Sequence, residues 1–190
     1  MEQSRPKATI MDGQAMERAV TRIAHEIIEH NEGAQHIALV GIIRRGETLA
    51  NRLAEAIERI EGSRPQIGSL DISFYRDDVM RNIAPVLHAT NIPFSVDGKD
   101  IVLVDDVLYT GRTVRSALNA LMDYGRPKTV QLAVMVDRGH RELPIRADYV
   151  GKNVPSSHEE DVRVCVETLD GCDSVEIWDV NSEKNSGGAR

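Results

Sequence analysis

The chain has 190 residues and a formal net charge of −7, which suits one domain and argues against indiscriminate nucleic-acid binding, although a local basic face remains open. It has no apolar run near the roughly 20 residues that a membrane span needs. Cys165 and Cys172 lack metal-ligand spacing and are expected to be free thiols. Together these features predict a cytoplasmic protein with no membrane partner.

Patterns typical of helices and strands alternate along the chain. Residues 11–30 place apolar side chains at helical spacing, with Asp12 as the predicted N-cap. Strands are predicted at 36–43, 67–75, 101–104 and 130–136, a weak strand at 94–96, helices at 47–60 and 114–122, and a mobile loop at 76–90. Residues 162–166 and 175–180 alternate apolar and polar positions, as in a hairpin with Asp170 and Gly171 in its turn.

This alternation predicts an α/β fold with a central, mostly parallel sheet flanked by helices. We expect one domain over residues 1–181 and a disordered tail at 182–190. Ligands of open α/β sheets lie beyond the carboxyl ends of the strands. The residues that follow the predicted strands are therefore the candidates for function.

The most informative segment is 101–113. Its apolar start, 101–104, predicts a buried strand, and Asp105 and Asp106 come directly after it. A short loop then leads into the helix at 114–122, whose first N–H groups and positive dipole end suit a phosphate. Because like charges repel, the carboxylates need a hydroxylated or cationic partner, such as a sugar diol or Mg²⁺. The segment predicts a ribose 5-phosphate site.

Simpler interpretations of this segment compete with that prediction, since a lone pair of aspartates at a strand end is more often structural than functional. The Walker A and dinucleotide-binding glycine patterns are both absent from the sequence. As a unit, however, residues 101–113 resemble the phosphoribosyl pyrophosphate (PRPP) motif of the type I phosphoribosyltransferases. The resemblance implies that family's fold, with a small hood built from about residues 137–160 and the C-terminal β-hairpin.

The resemblance also implies a role for each residue of the motif. Asp105 and Asp106 would face the ribose hydroxyls and hold Mg²⁺ indirectly, through water and PRPP. With Arg45 they form the predicted catalytic set, which acts by positioning and charge stabilisation. Tyr109 stands where purine transferases usually have an acidic residue, which disfavours hypoxanthine and guanine. The implied PRPP ligands here are Asp105, Asp106, Val107, Leu108, Tyr109, Thr110, Gly111, Arg112 and Thr113.

Two further loops are expected to contact PRPP. Arg44 and Arg45 lie between glycines after the first strand, so they can approach a diphosphate closely and bind it bidentately. We expect an unusual backbone there, including a non-proline cis peptide. Tyr75 and Arg76 begin the predicted mobile loop and would cover the diphosphate on closure. The alternatives are a solvated turn for the arginines and an ordinary polar loop for residues 71–78.

The segment 136–157 would build the hood over the base. The predicted base-binding residues are Asp137, Arg138, Tyr149 and Val150, with the Tyr149 ring stacking on the base and the Val150 backbone reading its edge. The alternative is that Tyr149 and Val150 belong to a buried strand.

From about Ile10 to Val180 the chain is similar to one group within this family. Its members make UMP from uracil and PRPP. They also regulate pyrimidine operons by binding mRNA leader hairpins, under the control of UMP or UTP. The implied RNA-binding residues are Thr21, Arg22, His25, His140, Arg141, Arg146 and Lys152. Gripping a hairpin with these patches favours a homodimer or a higher homo-oligomer. The alternatives are that these side chains are ordinary solvated charges, and that the protein is a transferase for another base with no RNA role.

Overall fold

The computed structural model describes residues 6–73, 75 and 89–180. Within that part, the chain forms an α/β fold in which strands and helices follow one another as the sequence predicts. The elements are β1 (Ala8–Asp12), α1 (Gly13–His30), β2 (Ile37–Ile42), α2 (Arg45–Glu61), β3 (Gln66–Leu70), β4 (Asp100–Leu108), α3 (Arg112–Met122), β5 (Thr129–Asp137), β6 (Tyr149–Asn153), β7 (Glu160–Cys165), α4 (Glu167–Asp170) and β8 (Ser174–Asp179).

Five strands form the central sheet in the order β3-β2-β4-β5-β6, and every neighbouring pair is parallel. All six residues of β2 are buried, as are the first six residues of β4. Strands covered on both faces need such continuous apolar runs. The parallel arrangement brings the carboxyl ends of β2, β4 and β5 to one edge of the sheet, where a ligand is expected.

Helices cover the sheet on both faces. α1 and α2 pack together on one face, in a core that also contains Leu39, Val102 and Ala133, whereas Val40, Leu103 and Val134 pack with residues of α3 on the other face. Asp12 caps α1 as predicted, since its carboxylate accepts a hydrogen bond of 2.8 Å from the backbone N–H of Ala15. No helix within the described ranges is both long and apolar enough to span a membrane.

A second, three-stranded antiparallel sheet has the order β1-β8-β7. It contains the predicted C-terminal hairpin and adds a strand, β1, that the sequence analysis missed. Residues 94–96, predicted as a weak strand, form none, and in that region only an isolated bridge joins Ser69 to Asn91. The predicted turn at Asp170 and Gly171 is the end of a short helix, α4, which Gly171 closes with a φ of 77°. The tail at 182–190 and residues 76–88 lie outside the described residues.

Candidate active site

The two aspartates of the motif lie within β4, which continues to Leu108 instead of ending at Val104. Asp105 is only 6% exposed, and its carboxylate accepts a 2.9 Å hydrogen bond from the backbone N–H of Asp106. The carboxylate of Asp106 in turn accepts a 2.8 Å bond from the N–H of Val107 and is only half-buried. Asp106 is therefore the aspartate available to a ligand, whereas Asp105 belongs to the interior beneath it.

The loop after β4 leads into α3 without a side-chain cap, as far as the described residues show. Gly111, with a φ of 91°, is the N-cap, a conformation that residues with a side chain rarely adopt. The carbonyl of Thr110 accepts bonds of 3.0 and 3.1 Å from the N–H groups of Glu142 and Leu143, which fixes the loop against the hood segment. The N–H of Arg112 makes only a long bond, 3.3 Å, to the Thr110 hydroxyl, and the positive end of the helix dipole suits an anion such as a phosphate.

The loop between β2 and α2 approaches β4 unusually closely because of two glycines. A Cβ atom on Gly46 would lie 2.3 Å from the carbonyl oxygen of Val104, and one on Gly41 would lie 2.4 Å from the Cα of Glu47. Any side chain at either position would push α2 away from the sheet. The peptide bond between Ile43 and Arg44 is cis, as the sequence analysis expected. This packing places the start of α2 beside the carboxyl end of β4.

Arg45, at the start of α2, forms a bidentate ion pair with Asp170 of α4. Its Nε and Nη2 donate to the two carboxylate oxygens over 3.1 and 2.7 Å, and Asp170 also accepts a 2.8 Å bond from the N–H of Val166. The hydrogen bond with Asp170 raises the pKa of Arg45, and the same bond lowers the pKa of Asp170. Local sequence pattern could not reveal this pair, because 125 residues separate its members.

Arg45 and Asp106 line the same cleft, which has a volume of about 350 Å³. The rest of its lining comes from β7, where the sequence analysis predicted no ligand. Arg163 of that strand is held by a 2.8 Å bond from its Nε to Asp161, and its guanidinium lies 4.8 Å from the Trp178 ring centre. The lining residues of β7 are Val162, Arg163, Val164 and Cys165. Burial raises the pKa of the Cys165 thiol, so it stays protonated at neutral pH.

The hood arginines make internal contacts. Arg138 is 5% exposed, and its guanidinium donates to the Ser156 hydroxyl and to the carbonyls of Ser157 and Glu160 over 3.0, 3.0 and 2.6 Å. The same guanidinium stacks 4.1 Å from the centre of the Tyr109 ring. Arg138 therefore joins the loop between β4 and α3 to the hood segment and has little surface left for a base.

Arg141 and Asp137 form a second internal network. Arg141 pairs with the Asp137 carboxylate and donates to the carbonyls of Tyr109, Gly139 and Ile145 over 2.8, 3.1 and 2.9 Å. The Asp137 carboxylate also accepts the N–H of Gly139, over 2.9 Å. Arg141 thus supports the loop, and its engaged guanidinium argues against the RNA contact predicted for it.

Tyr149 does not reach the cleft. It is 3% exposed, and its hydroxyl donates to Gln131 over 2.7 Å within the core that faces α1. Burial raises its pKa to about 12. Tyr149 begins β6 and pairs with Ala133 of β5. Asp137 ends β5, four residues after Ala133, so at the usual rise per strand residue it lies about 13 Å along the sheet from Tyr149. This position agrees with the alternative, a buried strand at Tyr149 and Val150, because the tyrosine points into the core, where its hydroxyl finds partners.

The remaining predicted PRPP ligands fall in different places. The Tyr75 hydroxyl contacts the Asp123 carboxylate at the end of α3, and the Ser116 hydroxyl donates to the Tyr75 carbonyl over 2.9 Å. Tyr75 thus packs along α3, with its hydroxyl at the end opposite the phosphate loop. Arg44 and Arg112 are exposed, Val107, Tyr109, Thr110 and Thr113 are half-buried, and Leu108 is buried. Arg76 lies outside the described residues.

The predicted RNA-binding residues separate into two groups. Arg22, 48% exposed in its side chain, pairs with Glu26 over 2.9 Å and donates to the Gly151 carbonyl over 2.6 Å, which places it beside Lys152 of β6. Thr21 and His25 lie on the same helix and complete a basic edge formed by Thr21, Arg22, His25 and Lys152. His140, by contrast, is half-buried, with its ring centre 4.0 Å from that of His158. Arg146 is exposed on the hood segment.

Across the described residues, no group of three or more His, Cys, Asp or Glu side chains is arranged to hold a metal ion. A site for a phosphorylated substrate does not require a cage made of protein ligands alone, because Mg²⁺ is usually bound by one or two carboxylates together with substrate phosphates. The half-buried carboxylate of Asp106, in the cleft with Arg45, fits that donor set.

Comparison with known proteins agrees with this geometry. Residues 7–168 match the family model described as the phosphoribosyl transferase domain. A protein of Clostridioides difficile named bifunctional protein PyrR is 57% identical over 172 residues, which are 90% of this chain and 97% of that protein. Its namesake in Pelotomaculum thermopropionicum is 59% identical over 176 residues, 92% of this chain and 97% of that protein. The chain belongs to the PyrR family of phosphoribosyltransferases.

Solved structures of enzymes outside the PyrR family share the fold of this chain, which confirms the type I phosphoribosyltransferase fold. A hypoxanthine phosphoribosyltransferase of Trypanosoma cruzi has a TM-score of 0.75 at 16% identity, and the match covers 100% of both chains. The corresponding enzyme of Staphylococcus aureus has a TM-score of 0.69 at 18% identity, over 93% of this chain and 95% of that one. At such identities the similarity concerns the fold alone.

Proposed function

We propose that the protein transfers the phosphoribosyl group of PRPP to uracil and forms UMP and pyrophosphate. The observation that carries the proposal is the edge of the parallel sheet where three elements meet. Asp106 and Arg45 share one cleft there, and the uncapped start of α3 follows Asp106 in the same strand–loop–helix unit. Diol, diphosphate and phosphate are the three parts of PRPP, and each has a partner of suitable charge.

In this reaction the bond from ribose C1′ to the diphosphate oxygen breaks, and a bond from C1′ to uracil N1 forms as N1 loses its proton. The sugar becomes cationic in the transition state and the leaving diphosphate gains charge. Asp106 is placed to hold the ribose hydroxyls, and Arg45 to stabilise the leaving diphosphate. Mg²⁺ bound to PRPP would supply further charge neutralisation, the Asp106 carboxylate would hold it through water and PRPP, and the buried Asp105 would support that strand.

Tyr109 supports uracil over a purine. It occupies the position where purine transferases carry an acidic side chain, and the stacked Arg138 fixes its ring in the loop. An assay of pyrophosphate release from PRPP, with uracil and with hypoxanthine as a matched control, tests the proposal. We expect release with uracil and Mg²⁺ and none with hypoxanthine. Tight PRPP binding without UMP formation, or release with hypoxanthine alone, would refute it.

We further propose that the protein regulates pyrimidine genes by binding an mRNA leader hairpin, in keeping with the bifunctional name of its relatives. The edge of α1 and β6 supports this function, together with Arg146, because exposed cations supply phosphate contacts. Arg22 stays exposed although it pairs with Glu26, and Lys152 and Arg146 are exposed as well, whereas His140 and Arg141 are half-buried in the hood. UMP or UTP would tighten binding if the base site and this edge are coupled. We also infer a homodimer, in which two copies of the edge grip one hairpin, and a cytoplasmic location, where mRNA and PRPP occur.

The RNA role can be separated from the enzyme. Replacing Arg22 and Arg146 by alanine should lower the slope of log affinity against log salt by roughly 0.7–0.9 per lost phosphate contact. UMP synthesis should stay near the wild-type rate, and Lys128→Ala, which changes a lysine at the opposite end of the strands, should leave the slope unchanged. Filter binding to the organism's pyrimidine-operon leader, with and without UMP, measures both. Failure to bind any leader segment would leave only the enzyme.

A further inference from the structure

Two aspartates in the connection between β7 and β8 form matched ion pairs with α2. Asp170 binds Arg45 through two hydrogen bonds of 3.1 and 2.7 Å. Asp173 binds Arg52 through two hydrogen bonds of 2.8 Å. Each aspartate also accepts a 2.8 Å bond from a backbone N–H at the start of the same connection. The two carboxylates are therefore equally fixed, and both arginines are bound by a rigid partner.

The two pairs differ in what lies beside them. Arg45 lines the cleft that contains Asp106, and the charge of Asp106 contributes to its raised pKa. Arg52 lies seven residues further along α2, about two helical turns away. It lines a separate cleft with Glu17, Glu55 and other charged side chains of α1 and α2. Only the pair of Asp170 and Arg45 therefore touches the predicted PRPP site.

The bond pattern of Arg45 determines which of its donors remain for a ligand. A guanidinium has five N–H donors in one plane, arranged in two edges that can each bind an anion bidentately. Asp170 takes the side edge, formed by Nε and Nη2. The end edge, formed by Nη1 and the second N–H of Nη2, donates no hydrogen bond to any described residue. A diphosphate can bind that edge without displacing Asp170.

We propose that Asp170 is a positioning residue, which holds the side edge of Arg45 so that its end edge meets the diphosphate of PRPP or free pyrophosphate. The inference rests on the proposed function, since it requires Arg45 to bind that diphosphate. A free arginine side chain loses rotamer freedom when it binds, and a side chain held beforehand does not. The connection between β7 and β8 thereby becomes part of the diphosphate site.

Asp170→Asn tests the inference, with Asp173→Asn as the matched control. Asparagine keeps the shape of the side chain and an acceptor for the backbone N–H, but it loses the charge and the second acceptor oxygen. Ordering one flexible side chain corresponds to a change in affinity of about three- to tenfold. Asp170→Asn should weaken the binding of Mg²⁺-pyrophosphate and raise the KM for PRPP by that factor. The affinity for UMP, whose phosphate is predicted to bind at the start of α3, should change less than twofold.

A control variant and a double variant show whether an effect of Asp170→Asn acts through Arg45. Asp173→Asn should leave pyrophosphate affinity unchanged, and Asp170→Asn should have no further effect in an Arg45→Ala background, because the side chain that it positions is gone. Unchanged or tighter pyrophosphate binding in Asp170→Asn would overturn the inference, as would equal losses in the two asparagine variants. If wild-type protein binds pyrophosphate and makes UMP, such a result removes the inference alone. A wild-type protein with neither property overturns the proposed function as well.

Discussion

The loop after β2 and the hood segment after β5 both place arginines at the carboxyl edge of the same sheet, but they use them differently. Arg138 and Arg141 donate to carbonyls of the hood and the phosphate loop, and their side chains are 5% and 21% exposed. Arg45, 41% exposed, binds a single carboxylate through one edge and opens onto a cleft. Position at a strand end is thus insufficient evidence for a ligand contact. What decides is whether the protein's own acceptors already occupy the donors.

The largest effect should come from the cleft, in catalysis and without loss of the fold. Asp106→Asn removes the half-buried carboxylate that is predicted to hold the ribose hydroxyls, so kcat for UMP formation should fall by about 10²- to 10³-fold. The midpoint of urea unfolding should stay close to wild type, since Asp106 is partly exposed. Loss of cooperative unfolding together with activity would make this carboxylate structural and remove the contrast between the two regions.

The hood should show the opposite pattern, a loss of stability. Arg138→Ala leaves one hydroxyl and two carbonyl acceptors without their donor and removes the stacking on Tyr109, at a cost of about 3 kcal/mol in the free energy of unfolding. Arg45→Ala serves as the matched comparison, because its partly exposed ion pair should contribute less than about 1 kcal/mol. Urea titrations of both variants measure the difference. Equal stabilities would contradict the structural role given to the hood arginine.

A smaller effect is expected for Tyr149→Phe, which tests the corrected position of this ring. Loss of the hydroxyl removes one of the two donors to the Gln131 amide oxygen, the other being the Asn31 side chain, and should cost about 1 kcal/mol. The folded pKa, about 12, lies above the ordinary value of 10.0. The contribution of the neutral Tyr149 hydroxyl to the stability of the fold is therefore complete below pH 10 and declines as the pH rises from 10 towards 12. Wild type should lose more stability than the phenylalanine variant between pH 9 and about 11.5. If Tyr149→Phe weakens uracil binding and leaves stability unchanged, the result would contradict the buried position and support a contact between Tyr149 and the base.

The parts of the molecule that the sequence predicted are those encoded by contiguous residues. The run 101–104, the aspartates after it and the glycine before α3 form one strand–loop–helix unit, so local pattern was sufficient for this unit and for most helix and strand positions. The pattern could not show that β4 extends to Leu108, because Asp105 is buried by helices distant in sequence. β1 also escaped prediction, since it is stabilised by pairing with β8, over 160 residues later.

The differences in the hood, between predicted ligand contacts and observed internal contacts, have a similar origin. The sequence does not distinguish charged hood residues that make internal contacts from those that could contact a ligand. Only the tertiary structure shows that the donors of Arg138 and Arg141 are bound to acceptors within the protein. The partner of Arg45 was equally hidden, since Asp170 lies in a segment that the pattern predicts as a simple turn. Tyr149 was assigned to the base from the resemblance alone, whereas its burial depends on α1, which packs over the beginning of β6.

The most direct test of the cleft as the PRPP site is the titration of PRPP with Mg²⁺ into wild-type protein and the Arg45→Ala variant by calorimetry. Loss of one partner from a desolvated charge contact should weaken PRPP binding by about 2 to 4 kcal/mol. Binding of uracil alone should change little. PRPP affinity that is the same in both proteins would remove Arg45 from the site and contradict the account of the cleft.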